Sequence, residues 1–352
     1  MNLVDLVEKS GARSIAVVGT AKNVGKTVTM SYLAQELASR GLVLGLVSSG
    51  RDGESIDSLT GEPKPSVVPP EGSWVATAEG VLGEAAAFIE IVDVLERVGL
   101  FGRLVVGRVV EQAPVELVGP QSARELSALV KKLLAFGADV VLVDGALDRR
   151  AAASPKVTEA SILATGASSS ANLKTIAEEI AFLTWLWSRV PPESRLIETL
   201  SRKAMAMNVV TFIDQEFLLR PTEYPTCLGF EEEILEESGD SIAVVVPGAV
   251  SEKFLSEARA WTERKDFAVI ARDATCIFAA KDPGVKLHVI EPINLLAITV
   301  NPVSYRGMSY EPKEMVRTVS AAVRAAVGRT VPVFDVVSGE KSIRGVAGVA
   351  MG

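Results

Sequence analysis

The sequence predicts an α/β fold with a mostly parallel, doubly wound sheet and a small inserted β-rich subdomain. Three observations carry that expectation. The run Ile15-Ala16-Val17-Val18 breaks into a glycine-containing turn and continues as helical sequence through Gln35-Glu36-Leu37. Val140-Val141-Leu142-Val143 is a block of β-formers that suits a strand buried on both faces, and it ends in Asp144-Gly145. Through most of the remaining chain, apolar runs alternate with amphipathic helical stretches, as parallel strands joined by helices require.

The turn after the first run reads Gly19-Thr20-Ala21-Lys22-Asn23-Val24-Gly25-Lys26-Thr27. Backbone N–H groups that wrap a polyphosphate need small residues and a glycine where a side chain would block the approach. The helix that follows adds a partial positive charge at its start. These nine residues are therefore candidates for nucleotide binding, with Lys26 reaching the β/γ-phosphates as a catalytic cation and Thr27 ligating Mg²⁺. The strict spacing G-x-x-x-x-G-K-[ST] is missed by one residue, since Thr20 stands at its first glycine and Gly19 lies one place earlier.

Asp144 ends its strand where it would sit beside the phosphate loop and hold Mg²⁺ directly or through water, so it is a second metal-site and catalytic candidate. Asp148, Arg149 and Arg150 follow, and either arginine could touch a γ-phosphate. The loop Ser48-Ser49-Gly50-Arg51-Asp52-Gly53-Glu54 comes after the second strand, and Asp52 is its candidate for orienting an attacking water.

Composition narrows the function classes. The 352 residues leave room for one large domain or two smaller ones. A net charge of -8 argues against a nucleic-acid partner. Cys227 and Cys276 are far apart and lack metal-type spacing. The single histidine, His288, lies in the strand-like run VKLHVIE without a nucleophile motif and reads as a strand side chain. No basic, apolar and cleavable leader opens the sequence, and no apolar run reaches roughly 18 residues, so the expectation is a cytoplasmic protein with no membrane partner.

Taken in order, residues 1–61 form the first part of a nucleotide-binding core, with a short helix over Met1 to Gly11, the phosphate loop, a helix from Val28 to Ser39 and a strand from Leu42 to Val47. Residues 62–119 are interrupted by Pro63, Pro65, Pro69 and Pro70, and carry short β-type runs at Trp74 to Ala78, Phe88 to Val94, Arg103 to Val110 and Val115 to Val118. They read as the inserted antiparallel subdomain, a place for a partner or second substrate. Residues 120–190 resume the core with a helix from Gln121 to Phe136, a strand from Ala160 to Gly166 and a helix ending near Arg189. After Pro191-Pro192, residues 191–352 continue the alternation as an extension of the sheet or a second lobe, with Leu295 to Val300 a buried-type strand closed by Asn301-Pro302.

In the spacing of its loop and at Gly19, Thr20, Val24, Gly25, Lys26 and Thr27, the stretch Gly19 to Thr27 resembles the G-T-x-T-x-V-G-K-T loop of dethiobiotin synthetases. With Asp144-Gly145 and the strand–helix alternation, the chain resembles the P-loop NTPase class of dethiobiotin synthetase, MinD and the metallochaperone GTPases. That resemblance implies ATP with Mg²⁺, a base-reading role for Asn301 after the late strand, and a nucleotide-dependent homodimer as one mode of action. Ala21 stands where dethiobiotin synthetases are acidic, and their lysine after the second strand is absent from Ser48 to Glu54.

The same loop, together with Ser49 to Ser55 and Asp144 to Arg149, is similar to a family of reactivase subunits for the adenosylcobalamin-dependent lysine 5,6-aminomutase. That similarity implies an ATP hydrolase acting on a partner protein, either a cobalamin-dependent aminomutase or a second reactivase subunit. A phosphoryl-transfer enzyme or ligase acting on a small molecule, and a nucleotide-gated dimer with little hydrolysis, are the other readings of the motif set.

Overall fold

A computed structural model describes residues 2–50, 66–99, 101–120, 122–264, 266–304 and 307–337. The chain divides into two compact units, one made of residues 1–181 and 294–352, the other of 182–293.

In the first unit, helix α1 (Leu3–Ser10) is started by Asn2, whose side chain and that of Asp5 cap each other's backbone N–H, and is ended by Gly11 at a φ of 66°. Strand β1 (Ser14–Gly19) leads to α2 (Lys26–Ser39) and β2 (Leu44–Ser48). Strands β3 (Trp74–Ala78), β4 (Ile89–Gly99) and β5 (Gly102–Val109) precede α3 (Ala123–Ala135), β6 (Val140–Ala146), a 3₁₀ turn (Leu147–Ala153) and β7 (Ala160–Gly166). Helix α4 (Leu173–Trp187) carries the chain out of this unit, and β13 (Leu295–Asn301), α8 (Pro312–Val327) and β14 (Val333–Asp335) bring it back.

These strands form one nine-stranded sheet in the order β14-β13-β7-β1-β6-β2-β3-β5-β4. It is parallel from β14 to β3, and only β5 runs against the other strands, pairing antiparallel with β3 on one side and β4 on the other. Every residue of β1, β2 and β7 is buried, as strands covered on both faces must be. Met30, Leu33, Ala34 and Leu37 of α2 share one core with Ile15, Val17, Leu44, Leu46, Val140 and Leu142. The opposite face meets α3: a β-carbon built on Gly45 would lie 2.9 Å from Val141 Cγ2 and 3.3 Å from Leu133 Cβ. The sheet is therefore sandwiched by helices, and the alternation along each strand decides which face a residue serves.

Two expectations change here. The described part of residues 62–119 is not a separate subdomain, because β3 pairs in parallel with β2 and carries β5 and β4 on its far side, widening the main sheet. Val115 to Val118 is not a strand either. Thr77 Oγ1 donates to Glu116 O at 2.7 Å and accepts from Val118 N at 2.9 Å, so a side-chain hydroxyl takes the place of a ladder partner; only Val115 makes a backbone bridge, to Val67.

The second unit contains α5 (Arg195–Ala206), β8 (Thr211–Ile213), β9 (Leu219–Pro221), α6 (Glu231–Glu236), β10 (Ala243–Val246), α7 (Glu252–Arg264), β11 (Ala268–Ala271) and β12 (Lys286–Val289). Its sheet has the order β12-β11-β10-β8-β9, with β10 to β12 parallel. Residues 191–352 are thus neither only an extension nor only a lobe: 182–293 build a sheet of their own, and β13 and β14 rejoin the first. No described helix is long and apolar enough to cross a membrane.

His288 lies on β12 as a half-buried strand residue, its Nδ1 3.2 Å from Val190 O. Burial pushes its imidazole below the usual histidine value; Lys286 and Arg189 push the same way, against the Val190 contact and Glu193. A lowered folded-state pKa means that its contribution to stability is present above about pH 6.5, the unfolded value, and is lost as pH falls through the folded one. The unfolding free energy should therefore decline through that window in the native chain and decline less in His288→Phe. Urea titrations at stepped pH measure it, and equal slopes would contradict it.

Candidate functional site

The carboxyl ends of β2, β6, β1, β7 and β13 lie side by side. The chain leaves β1 toward β2 and β7 toward β13, in opposite directions across the sheet, and open α/β sheets bind ligands at such a divergence. The phosphate-loop candidates occupy this position.

Asn23, at a φ of 59°, and Gly25, at 92°, both take the left-handed conformation and fold the loop back on itself. Gly25 is the N-cap of α2 without a side-chain cap, and the first turn of α2 holds no acidic residue. The partial positive charge of this helix end is therefore not offset by its own side chains.

Gly19 works in a different way. A β-carbon there would lie 2.6 Å from Lys26 Cδ, 2.7 Å from Lys26 Cγ and 2.8 Å from Val24 Cγ2. The stem of Lys26 thus runs back across Gly19 and along the loop, and only glycine leaves it room. Lys26 and Thr27 are half-buried, as are Ala21 and Asn23, whereas Lys22 is exposed and Thr20 and Val24 are buried.

The loop is tied to the strands behind it by hydroxyl groups that sequence patterning did not single out. Thr20 N donates to Ala164 O at 2.9 Å, and Thr20 Oγ1 pairs with Thr165 Oγ1 of β7 at 3.1 Å. Thr29 Oγ1 lies 3.0 Å from both Gly25 O and Thr299 Oγ1 of β13. All four threonines are buried. Each buried hydroxyl pair would cost on the order of 1–3 kcal/mol if one member were removed and the other left unsatisfied. The available signal was a threonine inside each buried apolar run, ASILATG and LLAITVN.

Asn301 ends β13, as expected. Its Cβ would be 3.0 Å from a β-carbon on Gly25 and 3.0 Å from one on Gly166, its Oδ1 accepts from Val303 N at 3.0 Å, and its carbonyl accepts from Ala167 N at 2.8 Å. The asparagine backs the loop directly.

Asp144 is half-buried and in register with Val17 of β1 on one side and Ser48 of β2 on the other. Two residues beyond Leu142, it falls on the face that packs on α2, at the end of the sheet where α2 begins. The fold thus brings Lys26, Thr27 and Asp144 to one end and one face. Ser48 shares that face, and Ser49 N donates to Asp144 O at 2.8 Å, so the second loop starts beside the carboxylate. Asp52, with Arg51 and Glu54, lies outside the described residues.

Among the described residues, no group of three or more His, Cys, Asp or Glu is placed to hold a metal ion. A hydroxyl and one carboxylate at the mouth of a polyphosphate loop are the donor set that suits Mg²⁺, which keeps waters and takes most of its protein-side binding from one or two carboxylates and the phosphates themselves. Cys227 and Cys276 are free thiols of the second unit, and burial pushes both above the usual thiol value. No family model matches the chain, nor does any curated protein or solved structure, so a functional reading rests on this geometry.

Proposed function

We propose that this chain is a P-loop nucleoside triphosphatase that binds Mg-ATP at the carboxyl end of β1 and acts as a switch on a partner protein. One observation carries the reading: the Lys26 stem laid across Gly19, at the uncapped start of α2, with Asp144 at the same end and face of the neighbouring strand. A motif that merely resembled a phosphate loop would not need the glycine that this lysine needs.

In this reading, the loop amides and the α2 terminus bind the phosphates, and Lys26 balances charge on the phosphoryl group being transferred. Thr27 and Asp144 would hold Mg²⁺, which when bound neutralises the phosphate oxygens. Ser48 and Ser49 start the segment that would respond to the bound state, because their backbone is paired to that of Asp144. ATP, and a cobalamin-dependent aminomutase or second reactivase subunit as partner, follow from the resemblance of the loop and of the Asp144 segment.

Asp144→Asn tests the metal side of this reading. It should weaken binding of a fluorescent ATP analogue by roughly tenfold in Mg²⁺ and change it little in EDTA, a loss of about 1.4 kcal/mol that appears only with the metal. Equal weakening in both conditions would remove Asp144 from the metal site.

A further inference from the structure

In the second unit, the loop from Tyr224 to Phe230 displays apolar side chains beside the acidic helix α6. The loop is held from within. Cys227 Sγ donates to Ala249 O at 3.1 Å, Phe230 N donates to Cys227 O at 3.2 Å, and the buried Glu231 carboxylate accepts from Gly229 N at 3.1 Å and Ser251 Oγ at 3.0 Å. With Cys227 and Glu231 anchored, Leu228 and Phe230 are left 47% and 40% exposed. The Phe230 ring lies 5.0 Å from that of Tyr224, so the two aromatic side chains form one patch. Phe278, 50% exposed, donates its backbone N–H to Val250 O, within the same stretch that receives Cys227 and Glu231. Single exposed apolar residues need no account, but a group of them on a fixed loop with a charged rim marks an interface.

That rim is acidic. Residues 221–252 contain no lysine or arginine, while Glu223, Glu231 to Glu233, Glu236, Glu237, Asp240 and Glu252 fall within them, against a net charge of -8 for the whole chain. Lys253 reaches Glu231 at 4.0 Å and Glu232 at 3.2 Å, and Arg220 comes within 4.0 Å of Asp240; among the described residues, no cation pairs with Glu223, Glu233, Glu236 or Glu237. Helix stability does not explain this charge. Acidic groups in the first turn of α6 suit its dipole, but Glu236 ends the helix and Glu237 is its C-cap, where negative charge is unfavourable, and Glu232 and Glu233 repel them at i,i+4 spacing. The charges also reach the patch: partial burial holds the Tyr224 phenol above its usual value, and Glu237, Glu223 and Glu233 push it the same way.

We propose that this face docks a basic segment of a partner protein, whose large apolar side chains cover Leu228 and Phe230 while its lysines or arginines meet Glu233, Glu236 and Glu237. Charge decides the occupant. A nucleic acid or an anionic lipid surface would be repelled, and a second copy of the same face would set carboxylates against carboxylates. Apolar contact at the centre with a polar rim is the anatomy of a protein interface, and a loop already held in place loses little freedom on binding. The assignment concerns the second unit alone and is independent of nucleotide binding at Lys26.

The probe is a fluorescent helical peptide of leucine and lysine, titrated into the full chain by anisotropy, with a lysine–serine peptide of equal charge and a leucine–glutamate peptide for comparison. The native chain should bind the leucine–lysine peptide at least about tenfold more tightly than either of the others. It should lose about tenfold in that affinity between roughly 0.05 M and 0.3 M salt, as screening of exposed charges requires. Leu228→Ser with Phe230→Ser should bring the leucine–lysine peptide down to the lysine–serine level. Glu233→Gln with Glu236→Gln should weaken both lysine peptides and keep the preference for leucine; this pair, exposed on α6, decides the matter if the apolar pair lowers the urea midpoint. Equal binding of the two lysine peptides by the native chain, or native affinity in the Glu233→Gln, Glu236→Gln chain, overturns the proposal. A native dimer in sedimentation that Phe230→Ser converts to monomer gives the face to a second copy and overturns it too.

Discussion

Lys26→Ala should raise the dissociation constant for Mg-ATP by roughly 10- to 100-fold, the 1.5–3 kcal/mol of a hydrogen bond to a charged group. It should lower phosphate release by about 10²–10³-fold, the usual loss when one preorganised donor to a developing charge is removed. The effect is expected to be large because the stem of Lys26 is already placed, lying over Gly19 with no room for another β-carbon. Little ordering remains to be done when the phosphates arrive. Isothermal titration and a phosphate-release assay measure the two quantities, and circular dichroism checks that the variant folds. Gly19→Val, which displaces the same stem without removing its charge, should reproduce part of both losses. If Lys26→Ala binds and turns over like the native chain, the triphosphatase reading is wrong.

The largest effect on stability is expected at a residue that touches no ligand. A β-carbon on Gly119 would lie 1.7 Å from Ser48 O and 2.8 Å from Ser48 C. Both are backbone atoms at the end of β2, so no rotamer change can relieve the clash. Gly119→Ala should cost about 3 kcal/mol, the upper part of the range for overpacking. The comparison is Gly41→Ala, where φ is 88° but nothing lies within 4 Å, so only the left-handed backbone penalty of roughly 1–2 kcal/mol is incurred. Urea midpoints at unchanged slope would report both. Because Ser48 is in register with Asp144, Gly119→Ala should also weaken Mg-ATP binding. A stability loss no larger than that of Gly41→Ala would show that residues 117–120 can lift off β2 freely.

Much of this architecture could be read before any coordinates. The seven residues Ala160 to Gly166, small or apolar apart from the two short hydroxyl side chains Ser161 and Thr165, are a strand with those bounds, because a strand buried on both faces leaves no charged position to blur its ends. Helix α8 has its Pro312 start and its Gly328 stop written in the chain, the latter at a φ of 67°. The passage from strand through glycine turn to helix at Ser14 to Ser39, and the strand that carries Asp144 near its end, were equally legible, since a block of β-formers breaking at glycine before an amphipathic stretch leaves few other local structures.

What was hidden depended on partners distant in the sequence. Trp74 to Ala78 reads as a short β run, but whether it starts a subdomain or joins β2 is decided by an open strand edge rather than by its own residues. The passage between the two units falls inside α4, with no proline or glycine to announce it. Helix α5, Arg195–Ala206, was missed although it is amphipathic: only Ser201, Ala204 and Met205 are fully buried, and Ile197 and Leu200 pack on the core from its edge, so its apolar face is thin. The hydroxyl pairs behind the loop join residues 145 and 270 positions apart, a distance that no local pattern spans.

Those long-range pairs also govern when the site can exist. The loop near the start of the chain is backed by Thr299 and Asn301, which leave the ribosome last among the residues that support it. A nascent chain that already displays Gly19 to Thr27 still lacks the β13 wall behind Gly25, and must make the whole of residues 182–293 before obtaining it. The loop would then reach its folded form late in synthesis, and a fragment cut between β7 and β13 would carry the sequence Gly19 to Thr27 without the strand that backs it.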